Sequence, residues 1–203
     1  MLYIFENTDK LDKGLVKCAL PLLSVQRRNK IDKYKSDIDK INGCIAFLML
    51  KYALKKEFNI DEKPEFIFGQ CGKPFLKDYP DIFFSISHCK NAVACSVSTE
   101  NTAVDIMDYR KIRQTVILKV CSENEQKMLL ESNDISKDFT RLWTMKECYS
   151  KLDGSGLALD FRKITAELPI CQKFKYIEAL KYTLTYLNCE SNQCIYLDKS
   201  LII

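Results

Sequence analysis

Between Phe83 and Met107 the chain spells three strands in close succession, and no other stretch narrows its folding options as much. Phe83-Phe84-Ser85-Ile86-Ser87 is followed by a turn at Lys90-Asn91, after which Val93, Cys95 and Val97 alternate with Ala94, Ser96 and Ser98. Period-two alternation on both sides of a short turn is a hairpin, and hairpin strands run antiparallel. A second turn at Thr99-Glu100-Asn101 leads into Ala103-Val104-Asp105-Ile106-Met107, where Asp105 falls on the face opposite Val104 and Ile106. Three more strands are expected in the tail, over Tyr176 to Leu180, Tyr182 to Leu187 and Gln193 to Leu197, all antiparallel. Phe66-Ile67-Phe68, bounded by Pro64 and Gly69, reads as a short strand, and the turn-rich segment from Gly69 to Pro80 as a loop.

Helices interleave with these strands. Ser36 can cap a helix with Asp39 reaching back from the third position, and Ile38, Ile41, Ile45, Leu48 and Tyr52 recur at helical spacing until about Asn59. Ser122 and Glu125 form a capping-box pattern that opens a helix to about Ser132, and a longer helix runs from about Lys137 to Leu152 and ends at Gly154. The fold expected is α+β, with antiparallel sheets and packed helices. Two similar α+β halves are expected to meet near residue 100, an N-terminal half over 1–100 and a C-terminal half over 101–203.

Composition removes several classes of function. With 203 residues and 47% hydrophobic content the chain can bury a core. Its 31 basic against 27 acidic side chains leave only +4, too little for a protein that wraps nucleic acid. The apolar stretch from Cys44 to Leu54 is broken by Lys51 and falls short of the roughly 20 residues of a bilayer span. The opening MLYIFENTDK lacks the basic and apolar segments of a secretory signal, so a cytoplasmic protein is expected. Ten cysteines contain no C-x-x-C pair and there is a single His, which disfavours both a disulfide framework and structural zinc. Most of the cysteines then serve as small apolar fillers. His88 and Cys89, adjacent on a strand, point to opposite faces and make a poor nucleophile pair.

Three features could carry chemistry. Asp105 is an acid amid β-branched neighbours, a placement that calls for a cation or a metal; the plainer alternative is a lysine partner at a strand end. On the helix around Trp143, residues Phe139, Leu142, Met145, Tyr149 and Leu152 share the packed side. Glu147 and Lys151 stand one turn apart on the other side with Trp143 on its flank, either as functional groups or as an ordinary solvated ion pair. Phosphate-binding candidates are the cluster Arg27, Arg28, Lys30, Lys33, Lys35 and Lys40, Lys73 in Gly72-Lys73-Pro74, and His88 after Ser85-Ile86-Ser87. Asp32, Asp37 and Asp39 dilute that cluster, which could equally be a solvated helix face.

The order of Gly72-Lys73-Pro74, Ser85-Ile86-Ser87-His88, Val104-Asp105-Ile106 and Trp143-Thr144-Met145-Lys146-Glu147 with Lys151, Gly154 and Gly156 resembles the 4′-phosphopantetheinyl transferases of the larger, surfactin-synthetase-activating type. The likeness runs from about Leu20 through Ile164. It implies two similar halves related by a pseudo-twofold, coenzyme A in the cleft between them, and transfer of its phosphopantetheine arm to a serine of an apo acyl or peptidyl carrier protein. Adenosine 3′,5′-bisphosphate is the other product. The resemblance further implies magnesium held by Asp105 and Glu147, and adenosine phosphates contacted by Lys73, Ser87 and His88, with Lys30 and Lys40 drawn from the basic cluster. Lys151 would support the pyrophosphate and the reacting groups, and Glu147 would also accept the serine proton. The expected enzyme is a monomer that binds neither nucleic acid nor membrane, with a mildly basic rim suited to acidic carriers.

The chain departs from the family pattern at Met107, where many members carry a third acid, and at Ala103 and Ser85, where glycine and asparagine are frequent. Either water or Asp108 would then take the place of the third ligand. Two rivals remain: a catalytically silent relative that still binds coenzyme A or carrier, and a small basic nucleic-acid-binding protein. The second explains neither Asp105 nor Glu147.

Overall fold

A computed structural model describes residues 1–69, 71–187 and 194–202. Its elements begin with β1 (Leu2–Glu6), α1 (Gly14–Ala19), α2 (Val25–Asp32), α3 (Asp37–Phe58), β2 (Phe66–Phe68) and β3 (Pro74–Leu76). Then come β4 (Phe83–His88), β5 (Ala92–Ser98), β6 (Ala103–Asp108), α4 (Gln114–Val120), α5 (Glu123–Leu130) and α6 (Ile135–Asp153). The described chain closes with β7 (Lys175–Glu178), β8 (Tyr182–Leu187), β9 (Cys194–Leu197) and α7 (Lys199–Ile202).

Two sheets stand face to face. The first has the strand order β4-β5-β1-β9 and the second β6-β8-β7. Leu2, Ile4, Ala92 and Ala94 from the first meet Val104, Ile106, Leu184 and Tyr186 from the second in a shared apolar layer. Helix α3 covers the outer face of the first sheet and packs on Tyr3, Phe5, Val93 and Cys95. On the outer face of the second sheet, Phe139, Met145 and Cys148 of α6 pack with Ala103, Met107 and Leu187. Period-two strands with both faces buried explain why β5 is buried at every position.

The α+β class and the hairpin of β4 and β5 match the expectation. Helix α3 follows its reading almost to the residue, with acids in its first turn, lysines in its last, and Asn59 beyond it in the left-handed region. Ser36 stands at its N-cap but its side chain makes no capping bond. The run Ile41 to Leu50 is buried without a break because α1 and α2 cover the side that the sheet leaves open. Glycine at residue 43 lets helix α2 seat its side chains against α3, since a Cβ there would come within 2.4 Å of Ile31 Cδ1 and force that side chain to move. The capping box of Ser122 and Glu125 is formed in full, and Gly154 ends α6 at φ 85°.

Other expectations are corrected. The segment from Gly69 to Pro80 is not all loop, because Pro74–Leu76 pairs antiparallel with Phe66–Phe68 as a two-stranded ribbon. Pro74 is tolerated as the first residue of its strand, where it need not donate to a ladder. The tail strands do not form one antiparallel group: β7 and β8 do, but β9 crosses to the first sheet and runs parallel to β1, with Leu2 opposite Cys194. Gln193 and Cys189 lie outside the described residues. The strand β1 and the helices α1, α2 and α4 carry patterns too short or too mixed to have been read. No described helix is long and apolar enough to cross a membrane.

Candidate active site

Strand β6 turns Val104 and Ile106 into the layer between the sheets and Ala103 and Met107 toward α6. Asp105 shares that second face by the alternation of the strand and is 6% exposed. Its Oδ1 accepts a hydrogen bond from Ser87 Oγ at 2.7 Å and from the Lys151 ammonium at 2.7 Å. Lys151 Nζ donates as well to Val104 O at 2.9 Å. One residue pair away, the Val104 amide donates to Ser85 Oγ at 3.1 Å. Two serines of β4 therefore stitch the edge of the first sheet to the edge of the second and fix the buried carboxylate in passing.

Helix α6 brings Glu147 and Lys151 to this point because they lie four residues apart, and not on an open side as expected but beside Thr144 and Cys148, which face β8 through Thr185. Glu147 is half-buried. Its carboxyl is pushed above the usual range, first by burial and then by the charge of Asp105, while Lys151 pulls the other way. The two acids distant in sequence thus feel each other in space. The alternative of a solvated Glu147–Lys151 pair is not what forms, since the ion pair of Lys151 is with Asp105.

Beside this group a cleft of about 370 Å³ opens between α2, the β2–β3 ribbon, β4 and the glycine turn after α6. Its basic side chains are Arg27, Lys30, Lys73, His88 and Lys151, and its apolar wall includes Tyr34, Phe66, Phe68 and Phe84. Lys73 Nζ donates to Leu152 O at 3.0 Å and to Asn101 Oδ1 at 3.1 Å, which ties the ribbon to the C-terminal end of α6, where a helix favours a cation. Burial lowers the Lys73 pKa, with Asp153 opposing. The left-handed Gly154 leaves room for this lysine: a Cβ there would stand 3.2 Å from Lys73 Cδ. Ser150 Oγ holds the same turn by donating to Gly156 O at 2.6 Å.

His88 keeps an exposed edge, yet the protein around it disfavours the imidazolium and lowers its pKa, chiefly through burial. Asp39 opposes that shift, and Arg27, Lys151 and Lys30 add to it. Burial, and Arg27 after it, lowers the Lys30 pKa in turn. The Arg27 guanidinium is partly committed, since Nε and Nη2 donate to Gly43 O at 3.0 and 2.6 Å.

The structure thus brings Asp105, Glu147, Lys151 and Ser87 into one group and Lys30, Lys73 and His88 onto the adjoining cleft. Lys40, Ser87, Asp105 and Glu147 are not among the residues that line that cleft; Lys151 lines it and links it to Asp105, which Ser87 holds in turn. Met107 is buried in the core under α6. Asp108 is engaged elsewhere: its two oxygens accept from the Lys90 amide at 2.8 Å and Asn91 Nδ2 at 2.7 Å in the β4–β5 turn. Among the described residues no group of three or more His, Cys, Asp or Glu could hold a metal. Trp143 does not flank Glu147 on an open surface; its ring lies against Phe139 and Phe161. On its other side Trp143 closes a recess of about 200 Å³ with Met107, Arg110, Lys111 and Arg113.

Two features escaped the sequence. The aromatic wall was signalled only by the Phe66-Ile67-Phe68 run, which reads equally well as core. Lys146, next to Glu147, is fully buried and donates to Glu125 Oε2 at 2.9 Å, Phe161 O at 2.9 Å and Ile164 O at 2.5 Å. Helical periodicity alone does not distinguish such a lysine from a solvated one.

Comparison with known proteins gives a consistent picture. Residues 102–193 match the family profile described as the 4′-phosphopantetheinyl transferase superfamily. The 4′-phosphopantetheinyl transferase Sfp of Bacillus subtilis (strain 168) is 24% identical over 152 residues, covering 73% of this chain and 68% of its own. The 4′-phosphopantetheinyl transferase ffp of Bacillus subtilis is 25% identical over 169 residues, 80% of this chain and 70% of its own. The 4′-phosphopantetheinyl transferase gsp of Aneurinibacillus migulanus is 28% identical over 160 residues, 77% and 66% respectively.

Proposed function

We propose that the chain, whose residues 102–193 match the 4′-phosphopantetheinyl transferase superfamily profile, is an enzyme of that class and moves the phosphopantetheine arm of coenzyme A onto a serine of an apo acyl or peptidyl carrier protein. One observation carries this reading: Asp105, Glu147 and Lys151 converge beside a cleft whose walls offer Lys30, Lys73 and His88. Coenzyme A is a polyanion with an apolar base, and a cleft with both cations and aromatic rings suits it. The 1–100 and 101–203 segments would be the two halves that frame it, and a monomer would suffice, since one chain supplies every wall.

The serine hydroxyl attacks the phosphorus that bears the pantetheine arm. A new P–O bond forms there as the bond to the adenosine 5′-phosphate breaks, and adenosine 3′,5′-bisphosphate leaves. Glu147, half-buried and with a raised pKa, is placed to accept the serine proton on its carboxylate. Lys73, Lys30 and His88 hold the nucleotide phosphates, and Lys151 borders the cleft beside Asp105, where charge develops on the leaving group.

Asp105 and Glu147 fit magnesium as two mutually repelling carboxylates, a donor set that such an ion accepts alongside phosphate oxygens. When bound it would neutralise the diphosphate. The recess bordered by Arg110, Lys111 and Arg113 supports docking of an acidic carrier close to the acids.

The test combines the protein with coenzyme A, magnesium and a panel of apo carrier proteins and reads a phosphopantetheine mass increment on the carrier. Glu147→Gln is expected to abolish the increment while coenzyme A still binds; retained turnover removes Glu147 from the mechanism. Met107 favours one second reading, a silent relative that binds coenzyme A without transfer, which predicts binding by calorimetry and no increment on any carrier.

A further inference from the structure

Lys151 does more than border the cleft. Its ammonium is 2.7 Å from Asp105 Oδ1, 2.9 Å from Val104 O and 3.5 Å from Ile86 O, so its donors are divided among three acceptors of two strands. Ser87 Oγ takes the same Oδ1 at 2.7 Å. A carboxylate oxygen has about two lone-pair positions, and these two donors fill them. The Asp105 side chain is 9% exposed against 29% for Lys151. Besides the lysine, the buried partner is held by the Ser87 hydroxyl, while the lysine, which also donates to two strand carbonyls, sits at the end of a flexible four-carbon stem on the wall of the cleft. A divalent cation approaching Asp105 would meet that ammonium at close range, and like charges at such a distance repel strongly where water is scarce. A diphosphate in the cleft offers the ammonium another partner of higher charge.

We infer that Lys151 competes with the divalent cation for Asp105, and that the diphosphate of coenzyme A admits the cation by drawing the ammonium away. The two ligands then bind with positive coupling transmitted by this one side chain. Ser87 keeps Asp105 in place during the exchange, and Glu147 supplies the second carboxylate. This rests on the transferase reading and adds to it an order of events: nucleotide and metal load together.

Calorimetric titration with magnesium chloride tests this on the whole protein, with and without saturating coenzyme A, for the unsubstituted chain, Lys151→Met and Lys151→Arg. Without coenzyme A, Lys151→Met is expected to take up magnesium about ten-fold or more tightly than the unsubstituted protein, the usual scale of coupling between sites. Lys151→Arg, which keeps the charge, should stay weak. Equal affinities for the unsubstituted protein and Lys151→Met overturn the competition. If Lys151→Met does not fold, nitrogen-detected NMR of lysine-labelled unsubstituted protein decides. Coenzyme A alone should shift the Lys151 Nζ signal, and no shift with coenzyme A bound overturns the inference. A protein that binds no coenzyme A even with magnesium refutes the transferase reading itself, whereas coenzyme A binding with unchanged magnesium affinity in Lys151→Met overturns only the competition between Lys151 and the metal.

Discussion

Replacing Lys146 by methionine tests how α6 is held in the rotation that presents Glu147 to Asp105. Lys146 is fully buried and its ammonium is satisfied by Glu125 Oε2 and by the carbonyls of Phe161 and Ile164. Methionine fills a similar volume but leaves the Glu125 charge without its cation and two carbonyls without the ammonium donor. Glu125 has little to fall back on: Oε2 still accepts from the Ser122 amide at 2.7 Å, but Oε1 is buried with no partner. Breaking one side of a buried ion pair costs about 3–5 kcal/mol. For a chain of this length that is a fall in melting temperature of roughly 6–20 °C. Urea denaturation followed by circular dichroism measures it directly. Adding Glu125→Gln, which removes the stranded charge and retains an oxygen for the α5 cap, should return about 1–3 kcal/mol as a coupling in the double-mutant cycle. A loss below about 1 kcal/mol for Lys146→Met, or strict additivity with Glu125→Gln, would show that the pair is not the anchor of α6.

Two more outcomes can be checked with the same material. The His88 pKa lies below its ordinary value, so the unfolded chain binds a proton that the folded one resists, and stability should be lost as pH falls through about 6.5. Urea midpoints at about pH 7.5 and about pH 5.5 should therefore converge in His88→Asn relative to the unsubstituted protein; an unchanged difference would refute this. Gly154→Ala places a Cβ at φ 85° and against Lys73 Cδ, so it should cost about 1–2 kcal/mol and weaken coenzyme A binding together. Lost stability with unaltered coenzyme A affinity would separate Lys73 from the nucleotide.

What the sequence disclosed follows from the range of the forces involved. Asp105 stood out because a strand punishes an acid locally, and Glu147 with Lys151 because four residues make one helical turn. That the three converge needed the whole fold, or a resemblance that already encoded it. Gly154 could be read as a helix stop, but not as the space beside Lys73. The ribbon strand at Pro74 hid among turn residues because two short strands need little propensity when each has the other as partner. Lys146 was illegible for a different reason: a lysine becomes a core residue only when carbonyls from Phe161 and Ile164, on a separate segment, arrive to meet it. The parallel pairing of β9 was equally hidden, since hydrophobic alternation marks a strand without stating which sheet will take it.

That pairing has a consequence for how the molecule comes into being. Strand β1 is made before every other described strand, yet one of its two neighbours is β9, made after all of them. On the ribosome the nascent first sheet must wait with β1 unflanked on that side, a free edge able to recruit another polypeptide. This edge closes only after residues 194–197 have been made, and its contacts span nearly the whole described chain.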